Sequence, residues 1–135
     1  MKNRLLCFSV LSLLLFSACG MNVTPEERDK SAAKNAAKAY YIELLSGQYD
    51  RFLMGRAGMD SIPASYREQL TDSYKQFMAT MEEKHGGIRS FIVNNASIDS
   101  TQHLIQVFLV LNFGDATQEE IVVPMVNDQG VWKIK

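Results

Sequence analysis

At Gly86-Gly87 the apolar spacing of this chain changes its period, and that change limits the folds open to it more than any other feature. Before the double glycine, apolar residues recur every three or four positions; after it they recur every second position. A chain that is helical first and stranded afterwards lacks the alternating units of a parallel sheet. The arrangement left to it is α+β, with N-terminal helices packed on a four-stranded antiparallel sheet.

In the stranded half, Ile88 to Val93 reads as a first strand, continuing through Asn94 and Asn95 to Ile98, with Asp99-Ser100-Thr101 as its turn. The strongest strand is His103 to Phe113, where Ile105, Val107, Leu109, Leu111 and Phe113 share one face; that face is predicted to meet the helices. Gly114-Asp115-Ala116-Thr117 closes a hairpin into Glu119–Val126, and Asn127-Asp128-Gln129-Gly130 closes another into Val131–Lys135. Pro124 suits an edge or a bulge, because it has no N–H for a ladder.

In the helical half, Thr24-Pro25-Glu26-Glu27 is a helix start, with Thr24 as N-cap, Pro25 in the first turn and Glu27 closing a capping box. Ala33, Ala37, Tyr40, Tyr41 and Leu44 share one face of this helix, and Gly47 ends it. Lys30, Lys34 and Lys38 mark its solvated side. Gln48–Ile62 holds a short helical turn at Tyr49–Leu53, then Gly55 and Gly58 among Met54 and Met59, and is expected to be a mobile loop. Pro63–His85 is the second long helix, with the stripe Tyr66, Leu70, Tyr74, Phe77 and Met81. His85 before Gly86 suits the negative end of the helix dipole. Phe77 and Leu109, each in the middle of its element, are expected to be among the costliest core positions.

The chain's first residues have a different purpose. Lys2 and Arg4 precede an apolar run from Leu5 to Phe16, too short for the roughly 20 residues of a membrane-spanning helix and suited to a secretory signal. The following Ser17-Ala18-Cys19 resembles the bacterial lipobox, with Phe16 where leucine is usual. That resemblance implies a signal peptide at 1–18, acyl chains on Cys19, a lipidated tether at 19–24 and a single domain at 25–135. Without Lys2 and Arg4 the remainder carries 12 Lys and Arg against 15 Asp and Glu, which offers no general attraction to anionic lipid or nucleic acid. The acyl chains are then the membrane anchor. Gly20, Met21 and Asn22 replace the acidic residues that follow the cysteine in lipoproteins exported to the outer surface, which favours the periplasmic side; Glu26 and Glu27 leave the outer surface as the alternative.

At 135 residues, 47% apolar and 21% charged, the chain is an ordinary globular one, which excludes a disordered tail, a collagen and a polybasic arm. Two cysteines and two histidines are too few for a zinc ribbon, no metal or cofactor is expected, and no phosphate-binding or nucleophile-elbow motif occurs.

The order of elements, the segment LLSGQYD, the paired strands and the closing Gly130-Val131-Trp132-Lys133-Ile134 resemble the small lipoprotein domains of unknown function, common in Bacteroides-like bacteria, that share the cone-shaped fold of nuclear transport factor 2. Relatives of that fold with enzymatic activity place an acid, a base and a tyrosine on the inner sheet and helices. The inward row from Ile105 to Phe113 has no titratable group, and His103 stands alone at the strand's start.

The reading is therefore a membrane-anchored cell-envelope lipoprotein with a non-catalytic binding or protein-interaction domain. Its partner would be an envelope protein or a small apolar ligand. The alternative is a small-ligand pocket protein or an isomerase- or hydrolase-like enzyme. A pocket would lie between the second helix and the sheet, lined by Tyr66, Tyr74, Phe77, Ile105, Val107 and Leu109, with the two tyrosine hydroxyls facing an uncharged wall that rejects anions.

Overall fold

The computed structural model describes residue 20 and residues 22–135. Cys19 and the signal segment lie outside the described residues. Among the described residues three helices lead: α1 at Pro25–Leu45, α2 at Tyr49–Met54 and α3 at Ala64–His85, with a 3-10 turn at Met59–Ser61 before α3. Four strands follow, β1 at Ile88–Asp99, β2 at Leu104–Phe113, β3 at Gln118–Asp128 and β4 at Val131–Ile134. They form one antiparallel meander in the order β1-β2-β3-β4. No helix among the described residues is long and apolar enough to cross a membrane.

The start of α1 keeps the expected Thr24 cap and Pro25, while the Glu27 carboxylate pairs with Lys30 and does not close the capping box. The Thr24 side chain accepts a hydrogen bond from the Glu27 N–H, and Pro25 occupies the first turn. Lys30 pairs with Glu27 on the solvent side. At the other end of the helical half, Gly86 and Gly87 both take positive φ, and the Gly87 N–H closes α3 onto the Met81 carbonyl. Only glycine adopts two such angles in succession at little cost. Gly114, in the β2–β3 turn, packs backbone to backbone against Gly86, leaving no space for a Cβ.

The register puts one apolar row inside. Val107 faces Val123 and Leu109 faces Ile121 across β2 and β3, while Val93 and Phe91 face Leu109 and Leu111 across β1 and β2. An irregularity between Val93 and Asn95 lets β1 run on and keeps Ala96 buried against Val107. Pro124 sits beyond the last pair of β3 with β4, Met125 with Ile134, and its carbonyl accepts from the Lys135 N–H at 2.8 Å.

The expected mobile loop is in fact docked. Arg56 forms a parallel bridge with Ile134: the Ala57 N–H donates to the Ile134 carbonyl at 2.7 Å, and the Ile134 N–H to the Gly55 carbonyl at 2.9 Å. Methionine and glycine content described the segment's composition but not the unpaired edge of β4 that captures it.

Candidate functional site

The inner face of the sheet is closed over most of its area by α1. Ala33 and Ala37 have no exposed surface, and their small side chains let the helix backbone settle on Val107, Leu109 and Met125, which are also fully buried. Val107 and Leu109, expected to line a pocket, belong to this filled core. Ile105 is likewise buried and reaches only the floor of a separate cleft of about 420 Å³, beside His103 and Trp132.

Opposite α1 the fit fails. No residue of α3 is fully buried, and its contact with the sheet is mainly with β1. Phe77 is 46% exposed and Tyr66 49% exposed, so neither is the core residue that the helical stripe predicts. Where α1 presents Ala33 and Ala37 to the sheet, α3 presents Tyr74 and Phe77 to the space beside it.

Between α3 and the rest lies an open groove of about 320 Å³, lined by Tyr41, Leu44, Phe52, Tyr74, Phe77, Ile88 and Ile121, with Ser73 at its rim. Of the residues predicted to line a pocket, the structure brings Tyr74 and Phe77 to this groove; Tyr66 lies elsewhere on α3. The wall is a chain of edge-to-face rings, with Tyr41 against Phe52 at 5.6 Å and Phe52 against Tyr74 at 5.1 Å.

One polar group stands behind that wall. Arg56 Nη1 donates to the Tyr74 hydroxyl oxygen at 2.8 Å. Arg56 makes no ion pair among the described residues. Burial pushes the Tyr41 phenol up to about 12, with Tyr74 adding to the rise and the Arg56 charge opposing it. Tyr41 is therefore a neutral O–H donor throughout the physiological range. The sequence signal for Arg56 was slight: one basic residue in the otherwise small and apolar run Met54–Gly58.

The C-terminal end of α3 is pinned separately. His85 Nδ1 lies 3.0 Å from Asp115 Oδ2, the Asp115 N–H donates to the His85 carbonyl at 2.8 Å, and the imidazole rests on Phe113. Hydrogen bonds from the Thr117 hydroxyl and N–H, and then the contact with His85, hold the Asp115 carboxyl down at about 2. The capping role expected of His85 is therefore shared with the hairpin. His103 is exposed in the β1–β2 turn at φ 54° and is not among the residues that line the groove. Asp99 accepts from the Thr101 and Gln102 N–H groups, the local backbone work expected of a turn aspartate.

No helix of the described residues covers the other face of the sheet. Ile92 is 59% and Val122 50% exposed, and the half-buried Phe108 and Val110 lie between them in register.

Three helices on one face of a curved antiparallel meander define the nuclear transport factor 2-like α+β fold, and the structural comparison agrees. The chain is similar to the crystal structure of a candidate NTF2-like transpeptidase from Campylobacter jejuni, with a TM-score of 0.57 and 12% sequence identity over 74% of this chain and 94% of that one. No protein-family model matches the chain. No curated protein matches it either.

Proposed function

We propose that this chain is a cell-envelope lipoprotein, anchored through acyl chains on Cys19 on the periplasmic side, whose domain is a non-catalytic binding module. The observation that carries the binding reading is the groove beneath α3. Its walls are apolar, it has the size of a small-ligand site at about 320 Å³, and a long helix stands over it without burying a residue. A transpeptidase activity like the one named for the structural neighbour would need an activated nucleophile. The groove lining offers Ser73, whose hydroxyl donates to the Gln69 carbonyl, and no carboxylate or imidazole.

N-phenylnaphthylamine, a neutral apolar dye, tests the site. Its fluorescence should rise with the native chain and not with Phe77→Glu, a substitution that a half-exposed position accepts without unfolding. Equal fluorescence from both proteins would remove the groove as the site. The anchor is tested by Cys19→Ala, which should leave the membrane fraction; a variant that still pelleted after a salt wash would contradict it.

The uncovered sheet face supports a second reading, binding of an envelope protein there. A photo-crosslinker placed at Ile92 in cells would then give a product that one at the exposed Glu68 does not.

A further inference from the structure

We propose that the groove beneath α3 takes a small amphiphile with a carboxylate head, the head held by the Tyr74 and Tyr41 hydroxyls with the Arg56 charge behind them. This rests on the binding reading and adds to it the chemistry of the ligand's polar end.

The argument begins with what a guanidinium can do. It has donors and no acceptor, so in the 2.8 Å contact with Tyr74 the phenol oxygen accepts and the phenol hydrogen points elsewhere. A hydroxyl whose oxygen accepts from a cation is a stronger donor, because the two hydrogen bonds polarise each other. Tyr74 is one of the groove's lining residues, and the Arg56 it bonds is not, so Tyr74 links the groove to the charge. Tyr41 lies on the same wall, and its hydroxyl makes no hydrogen bond among those of the described residues. Two donors without an acceptor of their own suit a group with two acceptor oxygens.

Charge decides between a neutral carbonyl and a carboxylate. An apolar wall alone rejects an anion, because its desolvation goes unanswered. Here the wall is backed by a half-buried cation with no carboxylate partner among the described residues. The backbone of Arg56 is bridged to Ile134, and its side chain is hydrogen-bonded to Tyr74. The expectation that the site excludes anions assumes a wall with no charge behind it, and here Arg56 is hydrogen-bonded to a residue of that wall. The rest of the lining, Leu44, Phe52, Phe77, Ile88 and Ile121, suits an alkyl body.

Decanoate, methyl decanoate and decanol share a chain and differ at the head, so their competition with N-phenylnaphthylamine isolates the inference. Decanoate should displace the dye from the native chain at a lower concentration than its methyl ester. That preference should fall by roughly tenfold in Arg56→Gln and in Tyr74→Phe, the loss expected for one hydrogen bond to a charged group. Methyl decanoate should bind both variants about as well as the native chain, which shows that the groove is still formed. If all three compounds displace the dye and the decanoate preference is absent, or survives both substitutions, the carboxylate assignment is overturned while the groove stands as a site. If none of them displaces it, the binding reading itself fails.

Discussion

The two long helices of this domain are nearly equal in length, 21 residues in α1 and 22 in α3, and both carry an apolar stripe, yet they have different roles. α1 buries Ala33, Ala37 and Leu44 and lies across the sheet; α3 buries nothing completely and meets the sheet mainly at its first strand. The difference lies in side-chain size. Alanine at two positions a turn apart lets one backbone approach the strands closely, whereas α3 presents the larger Tyr74 and Phe77 to the groove. Periodicity states which side of a helix is apolar, and side-chain volume decides how near that side can come. The gap left beneath α3 is the groove.

The largest expected effect lies in the closed region. Leu109→Ala should cost about 2–5 kcal/mol in denaturant unfolding, whereas Phe77→Ala should cost less than about 1 kcal/mol because its ring is already half in water. A loss at Phe77 comparable to that at Leu109 would mean that α3 is part of the core.

Enlargement sharpens the same contrast from the other direction. Ala37→Leu should destabilise by about 1–3 kcal/mol, since the added atoms have nowhere to go. Ser73→Leu at the rim of the groove should be close to neutral and should weaken dye binding. Equal costs would erase the distinction between a packed helix and a standing one.

Two smaller effects concern pH. The Tyr41 phenol is raised from 10.0 to about 12, so the folded chain keeps a proton that the unfolded chain releases. Its contribution is complete below pH 10 and is lost as pH rises toward 12. Alkaline unfolding followed in parallel should show a shallower slope for Tyr41→Phe; identical slopes would place the phenol in water. The smallest effect belongs to the clamp at the end of α3. Asp115 is lowered from 3.8 to about 2, so its contribution is present above pH 4 and lost as pH falls toward 2. Asp115→Asn should remove that part of the acid dependence, and the exposed position keeps the effect small.

Strands were more legible than helices because a strand has only two faces. The odd-numbered row of β2 is apolar throughout, and all of it is buried. Thr24 and Gly86 marked the helix ends by requirements that few other residues meet. The site was less legible. Tyr74 and Phe77 lie on the groove, and the residues around them, Phe52, Ile88 and Ile121, come from three separate elements that only the fold brings together. Arg56 was hidden because its position depends on a bridge to Ile134, at the far end of the chain, and no local pattern encodes a contact of that range.

Native-state amide hydrogen exchange over minutes to hours tests the contrast most directly, since it reads the opening free energy of both helices in one sample. Amides of α1 from Ala37 to Leu44 should exchange only through global unfolding, and those of α3 from Leu70 to Phe77 through a local opening of lower free energy. Protection of α3 equal to that of α1 would show both helices packed alike, and the groove would not exist in solution.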